Sequence, residues 1–199
     1  MMGMQPTLRE RTRRAVQQQI SDAAVGLFVE RGYDATTIDE IAAQVGMSQR
    51  SVFRYFATKE DIVAGKFARG SDEILEILRA RPTDEPVWIS LRRMFDIVET
   101  AERQETTKPL QRVIFETPAL LAVYLRNLHN LQNAVVAVLQ ERAQAATITG
   151  AHDDLTLRAL TAAAFGCLVA AQLVSLESTT DDSIVSYIDD AMATITPNV

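Results

Sequence analysis

An all-α fold is predicted by three features of the sequence. Breakers are sparse, with 8 Gly and 6 Pro in 199 residues, and Ala, Leu, Gln, Glu and Arg, the good helix formers, are abundant. Apolar residues recur at three- and four-residue spacing along most of the chain, the period of an amphipathic helix. No stretch of β-branched residues alternates strictly with polar ones for long enough to make a sheet. Apolar residues make up 47%, enough for a packed core, and the length fits one or two domains.

The first helix is expected from about Leu8 or Arg11 to Arg31. Val16, Ile20, Ala23, Ala24, Leu27 and Phe28 mark its apolar face, and Gly32 follows the last turn, where a left-handed residue is wanted. Thr37-Ile38-Asp39-Glu40 reads as a capping box opening a second helix, with Ile38, Ile41, Ala42 and Val45 as its buried stripe and Gly46 as its end. Ser48 caps a short third helix, about Gln49 to Phe56, with Val52, Tyr55 and Phe56 facing inward. Thr58-Lys59-Glu60-Asp61 opens a fourth, which continues through Ile62, Val63, Phe67, Ile74 and Leu78.

The segment Arg81 to Pro86 is the clearest break. A helix of about Glu85 to Glu102 follows it. Lys108-Pro109 and Thr117-Pro118 each predict a loop and then a helix with Pro at its first position. The second of these helices runs to about Ala146, striped by Leu121, Leu125, Leu128, Leu131, Val135, Val138 and Leu139. After a loop at Thr147–Asp153, helices are expected at about 154–177 and 181–194. The stretch Ala159–Leu176 is nearly uninterrupted apolar sequence, but it is rich in Ala and broken by Thr161, Gln172 and Ser175, which favours a buried helix over a membrane span.

The net charge is −6, which taken whole disfavours a nucleic-acid partner. Its distribution reverses that inference. Residues 1–60 carry 8 Lys/Arg against 7 Asp/Glu, and the remainder carries 12 against 19, so the acidic excess lies entirely after residue 60. The single cysteine, Cys167, excludes an intrachain disulfide and fits a reducing cytoplasm. Met1 to Arg14 is polar and basic, without the apolar core of a secretory signal.

Residues 36–56 carry the functional signal. Two short helices joined by a three-residue turn with Gly at its start make a helix-turn-helix. The first helix braces the second, whose outward side chains then reach base edges. Gln49, Arg50, Ser51 and Arg54 are the outward set. A guanidinium offers two donors to guanine O6 and N7, and a carboxamide can pair in two places with adenine. Lys59, in the first turn of the next helix, is expected to clamp a phosphate together with the free N–H groups there. Arg9, Arg11, Arg13 and Arg14 read equally as a soluble tail or as an arm that follows the DNA backbone or enters the minor groove.

The stretch from Arg13 to about Ile74 resembles the TetR (tetracycline-repressor) family. The resemblance rests on LFVERGYDATTIDEIAAQVGMSQRSVFRYFATKEDIV, Leu27 to Val63. Its matching parts are the Arg-Gly-Tyr turn, Thr36-Thr37, Ile41-Ala42, Val45-Gly46, Ser48, Tyr55-Phe56 and Lys59-Glu60. The resemblance implies about nine helices, a basic N-terminal arm at residues 1–12, a DNA-binding domain at 13–74, and a ligand-binding and dimerisation domain at 75–199. It implies DNA contacts at Thr36, Thr37, Ser48, Gln49, Arg50, Ser51, Phe53, Arg54, Tyr55 and Lys59. Phe53 departs from the family pattern, which often has Tyr there, so its contact must be apolar. The implied function is sequence-specific binding of a palindromic operator, as a repressor that a small molecule releases. The alternative is a helical ligand-binding or adaptor dimer without DNA binding.

Beyond about residue 80 the resemblance is one of layout. Two helices rich in small residues, 154–177 and 181–194, suit a two-fold homodimer interface, with Ala162, Ala163, Ala164, Gly166, Ala170 and Ala171 of the first letting backbones approach. Trp88, Phe95, Phe115, Tyr124 and Phe165 are candidate walls of an effector pocket, with Arg126, His129 and Gln172 as polar contacts; an aromatic in such a place is more often plain core than ligand lining. The segment Leu91–Glu141, with Glu116-Thr117-Pro118-Ala119-Leu120, is similar to TetR members with an acyl-CoA-like ligand-binding domain, which implies an acyl-CoA or another long apolar effector. No enzyme is expected. Cys167 has no charge beside it to activate a thiolate, His129 and His152 lack metal-ligand spacing, and neither a phosphate loop nor a nucleophile elbow occurs. No cofactor, metal or membrane partner is predicted.

Overall fold

The computed structural model describes residues 7–98, 107–145, 153–178 and 182–195. Among them it has nine α-helices, one 3₁₀ turn and no strand. The helices are α1 (Leu8–Arg31), α2 (Ile38–Gln44), α3 (Gln49–Phe53), α4 (Lys59–Ala80), α5 (Val87–Arg93, followed by 3₁₀ Met94–Asp96), α6 (Thr107–Glu116), α7 (Pro118–Ala145), α8 (Asp154–Glu177) and α9 (Ile184–Thr194). The chain divides into two compact units, Met1–Ala68 with Pro109–Tyr124, and Arg69–Lys108 with Leu125–Val199. A single boundary near residue 74 is therefore not how the units divide: residues 109–124 join the first.

Local chemistry sets the helix ends. α1 starts at Leu8 because Thr7 and Glu10 form a capping box, the Glu10 carboxylate accepting from the Thr7 N–H at 2.8 Å. Residues 8–12 are thus helical and not part of a loose arm. Pro109 lies in the third helical position of α6 instead of the first, a place where its missing N–H still has no intrahelical partner to lose. Pro118 does open α7. α9 begins at Ile184, where the Ser183 hydroxyl accepts from the Val185 N–H. Residue 181, the helical stretch 99–102 expected after α5, and Ala146 lie outside the described residues.

In the first unit α1 buries Ile20, Ala24, Leu27 and Phe28 with Ile41 and Ala42 of α2, Val52 of α3, and Ile62 and Val63 of α4. In the second unit α8 packs on α9 and α5, and α5 also touches α9. Phe95 meets Phe165 edge to face at 5.4 Å, both fully buried. Arg92, mostly buried, ties α5 to α9 by a bidentate ion pair with Asp189 and also reaches Asp96 at 2.6 Å. At the α4–α5 corner Arg81 pairs with Glu85 and pulls its carboxyl down to about 2. Arg142 of α7 donates to the Pro82 carbonyl and to the Ser90 hydroxyl at that corner.

α8 is long and apolar enough to cross a membrane by length and composition, with a mean hydropathy of 1.9 over its best window. Its buried residues, including Leu157, Leu160, Ala164, Phe165, Leu168 and Ala171, recur at helical spacing, as for a helix with one face in a protein core.

Candidate nucleic-acid interface

The helix-turn-helix is built from short-range bonds. The Thr37 hydroxyl accepts from the Glu40 N–H at 3.2 Å, and Glu40 accepts from the Thr37 N–H at 2.8 Å. The Thr37 backbone and side-chain bonds hold the Glu40 carboxyl below its ordinary pKa. Glu40 also reaches back to Arg31 of α1 at 3.3 Å, an exposed pair that adds little to stability. α2 closes at Gln44, Gly46 just beyond it has a left-handed φ of 67°, and the chain turns there with the Met47 N–H on the Ala42 carbonyl at 2.8 Å. Glycine takes that conformation without strain.

α3 begins with the Ser48 cap, whose hydroxyl accepts from the Ser51 N–H at 3.2 Å and lies 2.9 Å from the Ser51 hydroxyl. The two serines, expected to touch DNA, bond to each other first. The helix closes at Phe53, three residues before the expected Phe56. Beyond it the Tyr55 and Phe56 N–H groups both converge on the Val52 carbonyl, at 2.9 and 3.0 Å, a tightened turn and not a regular continuation. Val52 and Phe56 point into the unit, at 0% and 5% exposure. Gln49, Arg50 and Arg54 are exposed on the opposite side. Phe53 is 47% exposed beside them, an aromatic ring left on a polar edge. Tyr55 is half-buried, with the Arg13 guanidinium 5.6 Å above its ring.

Two residues expected at the DNA surface do internal work. Thr36 is 1% exposed, and its hydroxyl lies 2.8 Å from the Gly32 carbonyl and 3.3 Å from that of Leu27. It closes the loop that follows α1. Lys59 extends its ammonium to the Tyr33 and Thr36 carbonyls at 2.7 and 2.8 Å, 4.2 Å from the centre of the Tyr33 ring. Two of its three donors are thereby engaged. The start of α4 is capped by Thr58 and Asp61, each side chain bonded to the other's N–H at 3.0–3.1 Å. Burial, with the Glu60 carboxylate beside it, raises the Tyr33 phenol above its usual pKa. The spacing around Lys59 carries no hint of this, because its bonds run to backbone carbonyls 23 and 26 residues away, whereas Thr36 bonds within its own loop, to the carbonyl four residues before it.

Lys59→Met is accordingly expected to destabilise the first unit. Two carbonyls lose a charged donor and Tyr33 loses a cation over its face, about 2–3 kcal/mol together. Urea unfolding checks it. A role confined to phosphate contact leaves the unfolding midpoint where it is.

The candidate effector residues separate into groups. Trp88, Phe95 and Phe165 belong to the packed core of the second unit. Phe115 and Tyr124 lie in the first unit, 5.4 Å apart, with Phe67 5.6 Å from Tyr124. Arg126 and His129 are exposed, with Nε2 of His129 3.1 Å from the Asn133 amide, and Gln172 is half-buried. Cys167 is buried, and burial raises its thiol pKa, which removes it further from nucleophilic chemistry. Among the described residues no cluster of His, Cys, Asp and Glu could hold a metal ion.

The bacterial regulatory proteins of the tetR family provide a family model that matches residues 20–65, from the middle of α1 into α4. Over those residues the chain is similar to the TetR family. A relative is the HTH-type transcriptional regulator TcmR of Streptomyces glaucescens, 28% identical over 145 residues, 69% of this chain and 64% of that protein. The chain thus spans less than two thirds of the length of that relative. Among solved structures, FadR of Bacillus subtilis in complex with stearoyl-CoA superposes with a TM-score of 0.62 at 19% identity, covering 92% of this chain and 98% of that one. The fatty acid degradation regulator FadR of Bacillus halodurans gives 0.64 at 18%, covering 92% and 95%. At that identity these two structures establish the TetR-type fold of the present chain.

Proposed function

We propose that this protein is a sequence-specific DNA-binding transcriptional regulator, a repressor that a small-molecule effector releases from a palindromic operator. One observation carries the reading. α3 is braced by α2 through its buried side and leaves Gln49, Arg50, Phe53 and Arg54 outward, and neither arginine has a partner among the described residues. The unpaired Arg50 guanidinium on this short helix suits a base edge in a major groove.

Two copies are needed to read a palindrome. α8 supplies a face for them. Ala162, Gly166 and Ala170 are exposed one turn apart, and the apolar side chains of Leu155, Leu173 and Val174 are 75%, 43% and 49% exposed. Ala164 and Ala171, by contrast, pack within the subunit. We assign the dimer to the exposed face of α8 together with α9. The effector is an acyl-CoA or another long apolar ligand taken up by residues 75–199. The stearoyl-CoA complex of the similarly folded FadR supports that choice. Effector binding favours a different separation of the recognition helices, transmitted along α4, and shifts the equilibrium only by its differential affinity for the two states. The protein works in the cytoplasm and carries no enzymatic activity.

Selection of bound fragments from the encoding genome by purified protein tests this. The expected footprint has paired half-sites about one helical turn apart, roughly 34–36 Å, and long-chain acyl-CoA releases it. Absence of any footprint defeats the reading and returns the adaptor alternative. Within the operator, Arg50→Ala is expected to cost about 1–3 kcal/mol at one base pair and to relax preference there. Equal losses on operator and scrambled duplex would remove Arg50 from base reading.

A further inference from the structure

We infer that the groove between the first turns of α1 and the end of α3 is a second DNA site, one that takes backbone phosphodiesters independently of base sequence. The inference rests on the DNA-binding reading above and deepens it. The groove measures about 570 Å³ and is lined by Leu8, Arg9, Thr12, Arg13, Arg54 and Tyr55. Arg9 and Arg13 stand one helical turn apart, so both rise from one face of α1. Arg54 faces them from the turn after α3. Three guanidiniums therefore converge on one open concavity.

Their counter-charge is missing among the described residues. None of the three has an ion-pair or hydrogen-bond partner among the described residues. Glu10, the nearby acid in sequence, is turned onto its own helix start, with its carboxylate 2.8 Å from the Thr7 N–H and 3.0 Å from the Thr7 hydroxyl. Like charges held together raise each other's energy, and an anion in their midst relieves it. The Tyr55 ring under Arg13 steadies the guanidinium while leaving its N–H edge free, which suits a planar fork meeting two phosphate oxygens.

The groove's position selects the backbone as its occupant. Arg54 and Tyr55 follow directly on the base-reading residues of α3, so a strand in contact with that helix passes the groove's mouth. The lining of α1 is helical from Leu8. It therefore offers a fixed surface of positive charge and not a chain that threads into a minor groove. Phosphate contacts of this kind position a protein without reading sequence.

Fluorescence anisotropy across salt tests the inference with the intact chain, on its selected operator duplex and on a random-sequence duplex of equal length. The slope of log affinity against log salt falls by about one for each phosphate that the protein no longer neutralises. Arg9→Ala/Arg13→Ala is expected to flatten the slope by about that amount per side chain, equally on both duplexes, with the unfolding temperature unchanged. Arg9→Lys/Arg13→Lys, which keeps the charge, retains most of the slope. An unchanged slope in the alanine variant overturns the groove assignment alone, as does a loss confined to the operator. A wild-type chain with no salt-dependent binding to either duplex overturns the DNA-binding reading itself, and the groove with it.

Discussion

Raising the salt from about 50 to about 200 mM is expected to weaken the protein's hold on operator DNA roughly a thousandfold. The magnitude follows from counting cations. Each protomer presents Arg50 and Arg54 on and after α3, and Arg9 and Arg13 on α1, all exposed. A two-fold dimer doubles the set. With Arg50 given to a base, Arg9, Arg13 and Arg54 of each protomer neutralise about six phosphates across the dimer, a slope near five in log–log terms, which over a fourfold rise in salt is about three decades. The net charge of −6 does not oppose this, because the acidic excess lies beyond residue 60 and exposed charges are screened past about a Debye length. Titration of operator binding by anisotropy measures it. Binding that survives the higher salt unchanged would mean that the partner is held by apolar contact, as an adaptor would hold a protein.

Phe165→Ala is expected to cost about 3–5 kcal/mol of stability. The ring is fully buried, meets Phe95 edge to face, and belongs to a core shared by α4, α5, α7, α8 and α9. Removing it forfeits both the transfer free energy of the side chain and the packing of the atoms left around the void. The urea midpoint should fall with the denaturant slope kept, the mark of a change in stability alone. The experiment also decides between two roles that the sequence leaves open for this residue. An effector-lining aromatic that faces an empty site leaves stability nearly unchanged when truncated and alters the response to effector instead. Because α8 also carries the exposed Ala162, Gly166 and Ala170, loss of its anchor is expected to weaken dimer formation as well.

The capping boxes show how much of the fold is legible directly. Thr37 with Glu40, Ser48 ahead of α3 and Thr58 with Asp61 each bond across three residues, so their partners are visible as neighbours in the chain. Gly46 is the same kind of signal, a backbone conformation that glycine takes freely. Thr7 and Glu10 have that spacing too, but the arginines around them suggest a tail. The end of α3 comes earlier than the apolar pattern predicts, because hydrophobic spacing continues through Tyr55 and Phe56 although the hydrogen bonds have already tightened.

What the amino-acid order alone determined was held within about one turn: helix starts, glycine stops, the polar edge of α3, and the family that residues 20–65 resemble. The tertiary structure alone decided which polar groups remain free for a partner. Lys59 bonds to carbonyls that packing brings near, and among the described residues Arg9, Arg13 and Arg54 have no ion-pair or hydrogen-bond partner, Glu10 being engaged at its own helix start. A side chain's chemistry is local, but its availability depends on which donors and acceptors the folded chain carries to it from far along the sequence.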